Sequence, residues 1–154
     1  MVKAIRFCYL ISIPIFLAVL SYYYALMPET VSVYFDANGL ATYTVAKGNF
    51  FYACIGIFAL TNGLIMLYRR LTKHAVDMSL IDFSEMNKTE SNYHWFGGLS
   101  LMFNVCYILS IVFIGLYHSK EKFDITDYAA LVYLGPIFII LWIFWFIYLQ
   151  FTKK

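Results

Sequence analysis

Three histidines and three cysteines are the residues of this chain best suited to hold a metal or haem, or to carry redox and nucleophilic chemistry. Their placement argues against each of these. His74, His94 and His118 fall in loops or at the ends of apolar runs and are distributed over both ends of those runs. Haem inside a helix bundle needs inward-facing axial ligands, and zinc needs three or four clustered ones. Cys8, Cys54 and Cys106 are isolated, each inside an apolar run, so neither a CxxC motif nor a disulfide framework is available and they read as small buried apolar residues. The apolar runs contain no Asp, Glu, Lys, Arg or His, whereas proton or cation coupling normally needs such a group within the membrane. Pro14 and Gly135-Pro136 can kink a helix and open a cavity, although such breaks are also common in purely structural spans. No catalytic residue, metal ligand or cofactor is expected. The conspicuous polar residues left well inside the runs are two amides, Asn62 and Asn104.

The elements that carry these residues are set by hydropathy. The 154 residues are 62% hydrophobic and 13% charged, against an apolar share of roughly half in soluble domains. The apolar residues arrive in four blocks, at about 7–26, 50–68, 97–117 and 128–151, each near the ~20 residues that cross a bilayer. The expectation is one all-α membrane domain over 1–154 with four transmembrane helices. A cleaved signal peptide competes for the first block, because Lys3 and Arg6 precede it. Against cleavage stand its length, Pro14, and the run Tyr22-Tyr23-Tyr24 at its end, which offers no small-x-small site.

Basic residues set the expected orientation. Lys3, Arg6, Arg69, Arg70, Lys73, Lys88, Lys153 and Lys154 fall on one side and Lys47, Lys120 and Lys122 on the other. This asymmetry puts both termini in the cytoplasm. Tyr22 to Tyr24, Phe51, Tyr52, Tyr117 and Tyr128 then ring the outer interface, with Tyr68, Trp95, Trp145 and Tyr148 near the inner one. A cytoplasmic loop from about Arg69 to Phe96 joins the middle spans, and the stretch from Asp77 to Met86 reads either as a short surface helix or as a plain solvated loop. The sequon Asn87-Lys88-Thr89 lies on the cytoplasmic side, where it is not modified. The cytoplasmic basic residues can contact anionic lipid headgroups or merely fix topology. Membrane lipids and other membrane subunits are the expected partners, and nucleic acid is not.

Spans associate in lipid through small residues and isolated polar groups. The second span carries Gly56, Ala59, Asn62 and Gly63 on one stripe, and Ala59-xxx-Gly63 permits close approach of another helix. Asn62 and Asn104 lie six and seven residues inward from Tyr68 and Gly97, or about 10 Å each at the helical rise. The two amides are therefore expected to meet between the second and third spans.

The loop from Met27 to Asn49 reads as an ordered cap over the outer helix ends. Val31, Val33 and Phe35 alternate with Ser32, Tyr34 and Asp36 as in a short strand, Asp36-Ala37-Asn38-Gly39 is a turn, and Thr42 to Val45 can return as a second strand. Phe35 and Tyr43 are expected to pack onto the interface. The candidate partner-binding residues are Pro28, Glu29, Tyr34, Phe35, Asp36, Gly39, Tyr43 and Lys47.

Pro28, Glu29, Val31, Phe35, Asp36, Gly39 and Lys47 fall at the positions of a loop shared by the SdpI-like family of bacterial membrane proteins, which this chain resembles over about its first seventy residues. In that loop a span ends in Leu-Pro-Asp/Glu, followed by an aliphatic residue, Pro-x-His-Phe-Asn/Asp, a Gly, and a Lys at the mouth of the next span. Ser32 stands here in place of the second Pro and Tyr34 in place of the His. The resemblance implies a bacterial inner-membrane protein. It also implies, through the family's characterised activity, immunity to a secreted killing factor with sequestration of a repressor at the membrane. The expected function is that of a non-catalytic accessory subunit or binding partner in a larger membrane complex. Immunity or signalling of the SdpI-like kind is the first alternative, and a small transporter the second.

Overall fold

The computed structural model describes residues 2–35, 41–77, 83–118 and 125–152. In chain order the elements are α1 (Val2–Leu26), β1 (Thr30–Phe35), β2 (Ala41–Ala46), α2 (Lys47–Asp77), α3 (Phe83–Tyr117) and α4 (Ile125–Thr152). Each apolar block lies within one helix, because a backbone in an apolar surround must satisfy its own polar groups. Three helical stretches, Ala4–Leu26, Lys47–His74 and Trp95–Tyr117, are long and apolar enough to cross a membrane, and α4 is apolar from Tyr133 to Tyr148. These helices are compatible with a multi-pass membrane protein. Large apolar side chains such as Phe7, Leu60, Leu64 and Phe144 are more than half exposed, a surface that in water would mark an aggregation liability.

Two helix boundaries follow from local chemistry. Helix α1 ends as the Met27 amide donates to Tyr23 O at 2.9 Å, and Pro28 next in line disfavours helical backbone for the residue before it. Pro14 and Pro136 lie inside α1 and α4 without ending them. The segment read as a cytoplasmic loop is largely helical. Helix α2 runs on through Arg69, Arg70 and Lys73 to Asp77, and α3 begins at Phe83. Hydropathy reports where lipid ends, whereas Arg, Leu, Lys and Ala are good helix formers in water as well. Of the surface helix considered for Asp77 to Met86, the described ends belong to α2 and α3, and 78–82 lie outside the described residues.

Helix α3 is the hub. It packs against α1, α2 and α4, while the backbones of α1 and α2 come close at few points and meet mainly through side chains. Phe16 of α1 stacks on Phe58 of α2 with ring centroids 3.8 Å apart. Leu20 and Ile111 bury the adjoining α1–α3 surface. Close approach to α3 depends on glycine. The Tyr23 ring lies on Gly115 and the Trp142 indole on Gly98, each in space that a Cβ would fill. On α4, a Cβ at Gly135 would stand 2.6 Å from Cys106 Sγ and 3.2 Å from its Cα. Farther from the hairpin, Trp95 and Trp142 each donate an indole N–H to the other's carbonyl at 3.2 Å, joining α3 to α4.

Between α1 and α2, β1 and β2 form an antiparallel hairpin in which Thr30 pairs with Ala46, Val31 with Val45 and Ser32 with Thr44. The Lys47 amide closes its base on Glu29 O at 2.9 Å. The register then shifts twice, so that Tyr34 faces Tyr43 and Phe35 faces Ala41, leaving Val33 and Thr42 as the extra residues. In an unbroken register Tyr43 would oppose Val33 on the packed side. The bulge, whose extra residue Val33 lies on β1, sets Tyr43 opposite Tyr34 instead and bends the hairpin there, and both rings stand exposed.

Candidate functional site

A polar seam crosses the helices. Ser12 on α1, Asn104 on α3 and Asn62 on α2 are the residues that make it. The Asn62 amide nitrogen donates to Asn104 Oδ1 at 2.8 Å and to Phe58 O at 3.0 Å. Asn104 Nδ2 donates to Ser12 Oγ at 2.8 Å, and that hydroxyl donates to Tyr9 O at 2.7 Å. Asn104 is fully buried at 0% exposure, which fits the rule that a buried amide must find partners. Beside this chain, the Thr61 and Tyr107 hydroxyls bond at 2.8 Å. Asn62 Oδ1 is buried and has no hydrogen-bond partner among the described residues. Amides and hydroxyls arranged in this way orient helices against one another. The two predicted amides thus meet, and Ser12 joins them. Ser12 was not singled out from sequence, although a serine well inside an apolar run was the available signal.

The rest of the predicted packing stripe is placed elsewhere. Gly56, Ala59 and Gly63 are exposed, and a Cβ built on either glycine meets nothing among the described residues. Helix α2 turns Asn62 toward α3 and the small residues outward. The glycines that seat neighbouring helices are Gly98, Gly115 and Gly135. Their types were visible in the sequence, but not which face each would occupy.

The hairpin is the second candidate region. Val31 is fully buried, and Phe35 sets its ring 5.8 Å from that of Phe113 and 4.5 Å from that of Tyr117. Lys47 Nζ lies 4.7 Å above the centre of the Tyr24 ring, a contact that attracts through the ring quadrupole. Pro28 and Glu29 are exposed at the base. Tyr43 does not pack onto the helix ends as expected, for the register reason given above. It stands 61% exposed beside Tyr34 at 66%. Asp36 and Gly39 lie outside the described residues.

His118 was assigned no role from sequence. It follows α3 directly, and its Nε2 accepts the Ser32 backbone N–H at 3.0 Å while Nδ1 lies 2.9 Å from Ile114 O. It therefore pins the hairpin to α3. At the far ends of α2 and α3, the Arg69 guanidinium lies 4.3 Å from the centre of the Tyr93 ring and against Gly97. Among the described residues no group of three or more His, Cys, Asp or Glu is placed to hold a metal ion.

No family model, no curated protein and no solved structure matches this chain.

Proposed function

We propose that this chain is a four-span protein of a bacterial inner membrane, with both ends in the cytoplasm and the hairpin outside. On this reading it works by protein contact rather than catalysis, as an accessory subunit of, or binding partner in, a larger membrane complex. The observation that carries the reading is the contrast between two surfaces. The polar groups of the core are spent largely on one another, from Ser12 through Asn104 to Asn62. The features suited to recognition face outward: the Tyr34–Tyr43 pair on the hairpin and the small residues Gly56, Ala59 and Gly63 on α2. Aromatic side chains supply contact energy at low entropic cost, and small residues let another helix approach closely. The orientation rests on the excess of Lys and Arg on the side of the α2–α3 connection.

The test is purification in mild detergent of the tagged chain and of a variant carrying Y34S and Y43S. The reading expects a defined set of membrane proteins with the first and their loss with the second. A lone monomer from both would contradict it.

The resemblance to the SdpI-like loop favours immunity or signalling as the second reading. Most of the shared residues that are described have structural work in the hairpin: Val31 is buried, Phe35 packs on α3, and the Glu29 carbonyl meets the Lys47 amide. The likeness thus supports a common cap more directly than a common ligand. A deletion strain with unchanged sensitivity to secreted envelope-active toxins would count against immunity.

A further inference from the structure

The bond between His118 and Ser32 joins positions 86 residues apart and contains a chemical constraint. A backbone N–H only donates, so Nε2 of His118 must offer its lone pair to Ser32. A backbone carbonyl only accepts, so Nδ1 must carry the ring proton toward Ile114 O. Both ring nitrogens face partners that cannot exchange roles, and the imidazole that fits between them is the neutral Nδ1–H tautomer. The Ser32 amide has no alternative within the sheet. The Lys47-to-Glu29 bond fixes the ladder so that the Ser32–Thr44 pair turns its N–H groups away from each other. Ser32 is only 7% exposed, so without the imidazole its N–H would be left nearly dry.

We propose that His118 is an acid-released latch on the hairpin. Protonation puts a second N–H on the ring at Nε2, facing the Ser32 N–H, so an acceptor becomes a donor opposite a donor. The hydrogen bond is lost and a buried amide is left unpaired. The buried Val31 and the Phe35 contacts with Phe113 and Tyr117 remain, but the Ser32 edge of the hairpin has lost its polar tie to α3 and opens more readily. Among the described residues, Tyr117 on α3 is the titratable side chain beside the ring, with centroids 5.1 Å apart. On the hairpin, Tyr34 points outward, and Glu29 and Lys47 carry the charges at its base. None of them hydrogen-bonds the imidazole. The latch goes beyond the partner-binding reading: it concerns when the cap is docked, whatever the cap binds.

Hydrogen exchange of the full-length protein in detergent, read by mass spectrometry on peptides covering 30–46 and corrected for the intrinsic rate at each pH, tests this. H118Q keeps a side-chain acceptor for the Ser32 amide but does not titrate. The wild-type hairpin is expected to exchange about tenfold faster, or more, at pH 5 than at pH 8 after correction, while H118Q shows no such rise. Equal pH dependence in the two proteins would overturn the proposal. A second arm does not depend on the variant folding: nitrogen-15 spectra of histidine-labelled wild-type protein should show His118 protonated on Nδ1 alone at pH 8, with Nε2 gaining its proton in step with the exchange. A proton on Nε2 at pH 8 would overturn the latch outright.

Discussion

Replacing Asn104 with leucine removes the centre of the polar seam while keeping the branching and heavy-atom count of the side chain. Two side-chain hydrogen bonds go with it, the one accepted from Asn62 and the one donated to Ser12. Bonds between helices in lipid are worth about 0.6 kcal/mol each on average and up to about 1.7, so two give about 1 to 3 kcal/mol. The loss is not larger because neither partner is stranded completely. Asn62 Nδ2 still reaches Phe58 O, and the Ser12 hydroxyl still donates to Tyr9 O. Reversible unfolding in mixed micelles of a mild detergent and dodecyl sulfate, followed by tryptophan fluorescence, measures the change. S12A removes one of the two bonds and should cost about half as much as N104L. The cycle through N62L, N104L and the double variant should return a coupling of about 0.6 to 1.7 kcal/mol between the amides. A coupling near zero, or an N104L protein as stable as wild type, would refute the seam as a stabilising element.

Other perturbations separate the inner surface from the outer one. G98L drives a side chain into the Trp142 indole and should cost about 1 to 3 kcal/mol through overpacking, measured by the same unfolding assay. G56L and G63L add side chains where nothing stands within 4 Å, so unfolding should change by less than about 0.5 kcal/mol while recovery of a partner in mild detergent falls. F35A removes the ring that meets Phe113 and Tyr117. Exchange across 30–46 should rise by at least about tenfold, and peptides from α3 and α4 should keep their protection.

Much of the helical scaffold was legible because a membrane-spanning helix announces itself by length and hydropathy alone. The meeting of Asn62 and Asn104 was legible for a related reason. Amides in apolar runs are rare, and counting residues from each interface fixes their depth. Rotation about a helix axis was not legible. Gly56 and Gly98 are chemically identical, yet one faces outward and the other receives an indole; that difference depends on which neighbour the helix finds. The continuation of α2 to Asp77 was hidden because hydropathy falls at Arg69 while helix propensity does not. Strand alternation near Val31 and Phe35 could be read locally, but the bulge that sets Tyr43 opposite Tyr34 depends on pairing with a second strand. The bond from Ser32 to His118 joins residues far apart in sequence, and nothing in either neighbourhood announces the other.

The most direct test of the contact function is photo-cross-linking in intact bacterial cells. A photoreactive amino acid is placed in turn at Tyr43 on the hairpin, at Gly56 on the outward face of α2, and at Phe144, an outward apolar position of α4 that is 64% exposed. The account predicts discrete adducts with another membrane protein from Tyr43 or Gly56, and none of comparable yield from Phe144. Adducts from none of the three sites, or the same diffuse pattern from all of them, would contradict it.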